Sequence, residues 1–322
     1  MKRFFNSIGI WIVCLALLTV TVSGAKTLIP GGQVVGLELG DNTVTVAAFD
    51  ENLGAVAQKS GLKIGDQILT VNGKTICTAE DVRYALERSD GTVELTVQRN
   101  KKTDTFRFAP VVTEDGPKLG VYLKQGVTGV GTVTYYDPDT GKFGTLGHGV
   151  NNAKGELLQL VSGNAYQAAV VSVRKGTCGQ PGQLMGALQN AEPIGTLYKN
   201  TSKGIFGTAK TSWEGTPMPL ASAKDVRTGD AVIRSTVKGN TVQEYSVEIL
   251  KLYPNADATG RNILLKITDP ALLEATGGIV QGMSGSPIIQ DGKLVGAVTH
   301  VLVNDPTMGY GIFIENMLDA AA

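Results

Sequence analysis

The chain has 322 residues, enough for two domains of ordinary size, and its 29 basic and 29 acidic side chains give a formal net charge of zero. That balance argues against a nucleic-acid-binding surface and an acidic interaction tail. Three scattered cysteines (Cys14, Cys77, Cys178) and two histidines make neither a disulfide framework nor a zinc-ligand set, and no metal or cofactor is expected.

In chain order, Met1-Lys2-Arg3 precedes an apolar run over 8–22 and the small residues Ser23-Gly24-Ala25. A basic start, an apolar core and small residues describe a signal peptide. The apolar stretch is also long enough to span a bilayer, so 1–25 reads as either a signal peptide or a retained membrane anchor. Lys2 and Arg3 keep the N-terminus in the cytoplasm and send everything after Lys26 across the membrane.

Residues 28–110 read as the first folded unit. Asn72-Gly73 is a type I′ turn signal. Thr78, with Asp81 three residues on, predicts a capped helix over 79–87. Residues 92–98 and 103–108 alternate as strands. The string from Ala57 to Gly73, A-x-x-S-G-L-K-I-G-D-Q-I-L-T-V-N-G, resembles a PDZ domain. That resemblance implies a groove in which a peptide adds as an extra strand. The carboxylate-binding loop is placed on Val35, Gly36, Leu37, Glu38 and Leu39; the charge of Glu38 favours an internal peptide segment over a free carboxylate. Residues 111–125, with Glu114-Asp115-Gly116-Pro117, read as a linker.

Abundant glycine (41 residues) and repeated short Val- and Thr-rich runs predict a mainly β structure over 126–322, most simply a double β-barrel. Its centre is Gly282-Met283-Ser284-Gly285-Ser286-Pro287, followed by two apolar runs joined by Asp291-Gly292, which predicts a β-hairpin. Glycines on both sides of Ser284 allow positive φ and expose its hydroxyl. The N–H groups of Gly282 and Ser284 converge on one point, where an oxyanion would develop. A G-x-S-G-S-P string before a β-hairpin is the pattern of chymotrypsin-like serine peptidases. His148, between Gly147 and Gly149 at the end of a predicted strand, is the candidate general base, with His300 as its rival. Asp225, Asp230, Asp257 and Asp269 are all open as the third member. Asp269, followed by Pro270, reads on its own as a helix N-cap.

Longer strings carry a resemblance that covers nearly the whole chain. They are Leu28-Ile29-Pro30-Gly31-Gly32, the run over 129–138, Thr145-Leu146-Gly147-His148-Gly149, Ile267-Thr268-Asp269-Pro270, the run over 276–287, Gly296-Ala297-Val298-Thr299-His300-Val301 and Val303-Asn304-Asp305-Pro306. With these the chain resembles the SpoIVB peptidases, PDZ-containing serine peptidases of endospore formation. The resemblance implies an enzyme exported across the forespore membrane into the intermembrane space. There it cleaves itself and then a membrane-bound regulator of an intramembrane metalloprotease, triggering the processing of pro-sigma-K. By position it puts the catalytic histidine on His148, the serine on Ser284 and the aspartate on Asp269. The competing reading is an exported, non-catalytic PDZ scaffold; intact motifs around His148 and Ser284 favour the enzyme.

Overall fold

The computed structural model describes residues 26–152, 155–255 and 260–322; the expected signal or anchor segment 1–25 lies outside them. Strand β1 (Thr27–Pro30) leads into the long β2 (Val34–Phe49). The turn of helix α1 (Ala55–Lys59), β3 (Gln67–Val71), β4 (Lys74–Thr75), α2 (Ala79–Glu87), β5 (Val93–Arg99) and β6 (Lys102–Phe108) follow. A small hairpin of β7 (Val111–Thr113) and β8 (Gly116–Lys118) precedes a second long strand, β9 (Val121–Tyr136). Then come β10 (Lys142–Thr145), β11 (Ser162–Arg174), β12 (Gln183–Thr201), β13 (Gly204–Ala209) and β14 (Met218–Pro219). The last part comprises β15 (Gly229–Ser235), β16 (Gln243–Leu252), β17 (Ile263–Ile267), α3 (Pro270–Thr276), β18 (Pro287–Gln290), β19 (Lys293–Leu302), β20 (Asp305–Phe313) and α4 (Ile314–Ala321).

The protein is mainly β, and two strand cycles close. In the first, β2 pairs with β9, β9 with β10, β10 with β13, β13 with β12, β12 with β11 and β11 with β2. In the second, β15, β16, β17, β20, β19 and β18 form a closed barrel. Val34, Ala168, Val170 and Leu184 of the first pack with Ile233, Val247, Met283 and Val298 of the second in one buried cluster, which locks the barrels together. In the second barrel, closing the sheet on itself removes its free edges.

The PDZ unit has its own core, with Val44, Val46, Leu62, Ile68, Val82, Leu86, Val93 and Leu95 buried together. Helix α2 starts at the predicted capping box, in which the Thr78 side chain accepts from the Asp81 N–H and the Asp81 carboxylate accepts from Thr78. Asn72 and Gly73 both take positive φ (50° and 76°), as a type I′ turn requires, and so do Asp291 and Gly292 in the β18–β19 hairpin (50° and 71°). The Gly61–Asp66 turn is pinned by a bidentate ion pair, Arg99 Nε and Nη2 each 2.6 Å from an Asp66 carboxylate oxygen.

Two boundaries differ from the sequence reading. The expected linker over 111–125 is structured: β7 and β8 form a hairpin, and β9 begins at Val121. The expected carboxylate loop Val35-Gly36-Leu37-Glu38-Leu39 belongs to the first barrel. It pairs on one side with β11 (Val35 to Gln167 through Leu39 to Gly163) and on the other with β9 (Val35 to Gly131 through Leu39 to Val127). With both edges taken, it has no edge left for a peptide. Its Val35, Leu37 and Leu39 fill the core of the first barrel, and Glu38 accepts from the Tyr166 hydroxyl at 2.8 Å. The PDZ unit is therefore inserted into the first barrel: β2 enters it and β9 leaves it, paired along most of their length.

Candidate active site

The serine loop connects α3 to β18. Gly282 and Gly285 take φ of +99° and +95°, and a Cβ on Gly285 would lie 2.0 Å from the Thr132 carbonyl oxygen, so only glycine fits there. Strand β9 holds this loop from the other barrel. Thr132 Oγ1 donates to the Gly282 carbonyl at 2.7 Å, Thr134 Oγ1 to the Gly285 carbonyl at 2.8 Å, and the Thr132 N–H to the Ser284 carbonyl at 3.0 Å. Ser286 is fully buried and its hydroxyl lies 3.1 Å from that of Ser235, a structural bond beneath the loop.

The histidine loop leaves β10 through two consecutive left-handed residues, Leu146 and Gly147, both at φ 67°. A Cβ on Gly147 would come within 2.9 Å of Thr299 Cγ2, so this glycine lets the loop lie against the second barrel. Asn200, on β12, holds the loop beyond the histidine. Its Oδ1 accepts from the Val150 N–H at 3.0 Å, and its Nδ2 donates to the Val150 and Leu158 carbonyls at 2.8 Å each. Nothing in the sequence marks Asn200, one of four amides within β12.

His148, Gly282 and Ser284 line one cleft of about 210 Å³, with Leu37, Leu39, Val127 and Leu146 among its apolar walls. The Ser284 hydroxyl donates to the Thr299 carbonyl at 2.9 Å. His148 Nδ1 lies 2.9 Å from the Gly149 carbonyl oxygen. A carbonyl only accepts, so in the neutral ring Nδ1 carries the hydrogen and Nε2 the lone pair. Burial holds His148 below the ordinary histidine pKa, with the bond to Gly149 opposing it. Among the described residues, neither the Gly282 nor the Ser284 N–H donates to a protein acceptor.

The rival histidine is part of the same site. The His300 ring centroid lies 5.1 Å from that of His148. Its Nδ1 is buried without a hydrogen-bond partner among the described residues. Burial first, then the nearby His148 and Arg261, pushes its pKa down to about 4.

Asp269 is engaged as a helix cap, and among the described residues no ion pair joins it to His148 or His300. Its Oδ1 accepts from the Leu272 N–H at 3.0 Å as the N-cap of α3, with Pro270 at the first turn, and its Oδ2 accepts from the Ser246 N–H at 3.3 Å. His300 pairs with Tyr310, which pairs with Leu264 on β17. Asp269 lies five residues beyond Leu264, on the order of 15 Å along an extended chain. The cap reading of Asp269 is thus the one the structure follows, in place of the triad role drawn from family resemblance. Asp225 and Asp230 are exposed, and Asp257 lies outside the described residues. Among the described residues, no carboxylate forms an ion pair with either histidine, and no group of three His, Cys, Asp or Glu side chains gathers as a metal site would need.

Within the PDZ unit a groove lies between α2 and the start of β9, away from the run over 35–39. Ala79, Val82 and Leu86 face Leu119, Val121 and Leu123 across a cavity of about 400 Å³. Gly120, with φ 71°, turns the chain at its end; a Cβ there would meet the Leu53 carbonyl oxygen at 2.2 Å.

Comparison with known proteins bears on both units. The PDZ domain family matches residues 51–99. Two curated relatives are similar to part of the chain: "Putative zinc metalloprotease R01501" of Rhizobium meliloti, 28% identical over 125 residues (38% of this chain, 31% of that protein), and "Putative zinc metalloprotease Atu1380" of Agrobacterium fabrum, 28% identical over 151 residues (47% and 36%). The chain thus spans about a third of the length of these relatives. Among solved structures, it is similar to the active form of the Rv3671c protease from M. tuberculosis (14% identity, TM-score 0.37, covering 60% of this chain and 73% of that one). It is also similar to the PDZ domain of the SdrC-like protein from Listeria monocytogenes (17% identity, TM-score 0.22, 26% and 87%). The SpoIVB peptidase S55 family matches residues 115–318, more than half of the chain, a span that includes both His148 and Ser284. The chain belongs to the SpoIVB peptidase S55 family and carries a PDZ domain match ahead of it.

Proposed function

We propose that this chain is an endopeptidase of the chymotrypsin-like, two-barrel kind, with Ser284 as nucleophile and His148 as general base. The observation that carries the reading is a single cleft between the barrels that holds Ser284, His148 and two N–H groups with no protein acceptor among the described residues. The Ser284 hydroxyl leaves the Thr299 carbonyl and attacks the scissile carbonyl carbon as its proton passes to Nε2 of His148. The Gly282 and Ser284 N–H groups receive the oxyanion, and His148 returns the proton to the leaving amine. The Gly149 carbonyl supports the tautomer this requires, a role that an aspartate plays in the better-known triads.

Membership in the family supports a role in endospore formation. In this reading the chain is exported across the forespore membrane, with 1–25 as signal or anchor. It cleaves itself and then a membrane-bound regulator of an intramembrane metalloprotease, and so triggers processing of pro-sigma-K. A fluorophosphonate probe on the full-length protein tests the chemistry. Labelling confined to Ser284, lost in Ser284→Ala, is expected; an unlabelled but folded protein would instead favour a non-catalytic PDZ scaffold. Sequencing the N-terminus of the mature wild-type and Ser284→Ala proteins tests self-cleavage.

A further inference from the structure

Strand β9 has one edge occupied almost throughout and the other largely open. On the first edge it pairs with β2 from Val121 to Thr132 and with β1 at Tyr135 and Tyr136. On the second, β10 covers only Val133 to Tyr136. Among the described residues, no strand pairs with the second edge from Val121 to Gly131. This edge begins at the α2 groove, where Val121 and Leu123 form one wall. It ends at Thr132, whose N–H bonds to the Ser284 carbonyl and whose carbonyl accepts from the Leu146 N–H. Between these points, Val127, Gly129 and Val130 line the catalytic cleft. Long open edges are normally blunted, because they template pairing with other chains. Here the open edge connects a peptide groove to a nucleophile.

We propose that this edge is the template for the substrate. Resting on the reading of Ser284 as nucleophile, it holds the polypeptide segment that follows the scissile bond as an added strand, reaching from the cleft to the α2 groove. Strand β10 fixes the sense of addition. It pairs with this same edge antiparallel, Phe143 opposite Tyr136 and Thr145 opposite Val133. A chain continuing in that sense runs from Thr132 towards Val121, so the residues on the C-terminal side of the cut enter the PDZ groove.

Backbone parity supports the docking. Val133 directs its N–H and C=O to the β1–β2 side, where they meet Gln33 and Gly32, and Thr132 directs its own outwards. Alternation then turns the N–H and C=O of Val130 and Thr128 outwards as well. Gly126, at φ 73° with the Leu39 carbonyl packed against it, bends the edge between groove and cleft. The path from Val121 to Thr132 is about eleven residue steps, roughly 36 Å at the usual strand rise. The PDZ unit therefore acts as a ruler: it sets the cut about ten residues upstream of the segment it holds.

The test tethers a peptide in the groove. In the full-length protein with Cys14, Cys77 and Cys178 replaced by serine, Arg83→Cys on α2 provides a thiol in the groove wall. It is coupled by a disulfide to a Thr/Val/Ser-rich 30-residue peptide carrying one cysteine near its C-terminus. Mass spectrometry of the released fragments should place the cut about 9–13 residues on the N-terminal side of the tether, the span given by the strand rise. Moving the peptide cysteine by four residues should move the cut by four. Cuts at fixed peptide sequences whatever the tether position, or on its C-terminal side, with Ser284 still labelled by fluorophosphonate, would overturn the ruler alone. Absence of both cleavage and labelling would overturn the serine assignment and the ruler with it. As a second measurement, Thr128→Pro removes one outward N–H at an edge position where proline is tolerated, and should lower kcat/KM for dye-labelled casein about tenfold without a matching fall in melting temperature. Unchanged casein cleavage in this variant would also overturn the proposal.

Discussion

The serine loop and the histidine loop meet in one cleft but are held in different ways. The serine loop is fastened from across the barrel interface by backbone and by two buried threonines, Thr132 and Thr134. Met283 and Ser286, on either side of the nucleophile, are fully buried. The histidine loop leaves its barrel through two left-handed residues and is clamped beyond His148 by one amide side chain, Asn200. The serine loop is thus tied across the interface at three points, whereas the histidine loop is tied to the Thr132 carbonyl before His148 and, beyond it, held by the Asn200 side chain. Ser284 and the N–H groups beside it are set from across the interface, and the segment beyond His148 can be loosened by a substitution at Asn200.

The largest expected effect comes from removing the nucleophile. Ser284→Ala should lower kcat by on the order of 10⁶, since triad members act as a unit, with melting temperature nearly unchanged. Residual turnover near wild type would refute the assignment. Next is the clamp. Asn200→Leu strands the Val150 N–H and the Leu158 carbonyl, and a displacement of the base on the order of 1 Å costs roughly 100-fold in rate. We expect kcat to fall by about that factor while fluorophosphonate labelling stays confined to Ser284; a change in KM alone would refute the clamp. Thr132→Val tests the other loop. It keeps the β-branched shape but removes the bond to the Gly282 carbonyl, leaving a buried acceptor at a cost of about 1–3 kcal/mol. Chemical denaturation should show that loss, with a smaller fall in kcat than for Asn200→Leu, because the backbone bonds still hold the loop.

The histidines give a pH signature. His148 is held below its usual pKa, so the acid limb of the kcat/KM profile should have its midpoint below about 6.5. His300 affects stability. Its folded pKa is about 4. Between the unfolded value and that pH the unfolded chain binds the extra proton, so stability is complete above about 6.5 and is lost as pH falls towards 4. Melting curves across that range should show a drop that His300→Phe reduces; an equal drop in the variant would refute the role. The smallest effect is expected at Asp269. Asparagine caps a helix as well as aspartate, so Asp269→Asn should keep both melting temperature and activity. Asp269→Ala should cost about 1 kcal/mol of stability with activity retained. Strong loss of activity in the asparagine variant would restore the carboxylate to the catalytic machinery.

Much of this was legible where the signal is local. The capping box at Thr78, the Asn72-Gly73 and Asp291-Gly292 turns and the glycine-flanked Ser284 each lie within a few residues, and each forms as the sequence predicts. Asp269 was also legible from its own neighbours. An aspartate before a proline at a strand end predicts a cap, and the cap is what forms. The long-range pairings were not legible. The run over 35–39, with one glycine among mostly apolar residues, suits a PDZ loop, but Val35 pairs with Gly131 and Gln167, far along the chain. The wall of the α2 cavity, Leu119 to Leu123, was hidden in a stretch whose Glu-Asp-Gly-Pro composition reads as a break. The roles of Asn200 and Thr132 appear only once strands from distant parts of the chain lie side by side.

The shared β2–β9 ribbon has a consequence for how the chain is made. Seen from the first barrel, the PDZ unit is one oversized hairpin turn. As the chain emerges during synthesis, β2 must wait for the whole PDZ unit before its partner β9 exists. Closing a loop of that length as flexible chain carries an entropy that grows as (3/2)RT ln n, and the closure cannot begin early. A PDZ unit that folds first, on its own core, brings the ends of β2 and β9 together already in register. The PDZ unit would then serve as an internal folding template, delivering the strand that closes the first barrel and docks the serine loop. Seen this way, the catalytic cleft is one of the last parts of the nascent chain to form.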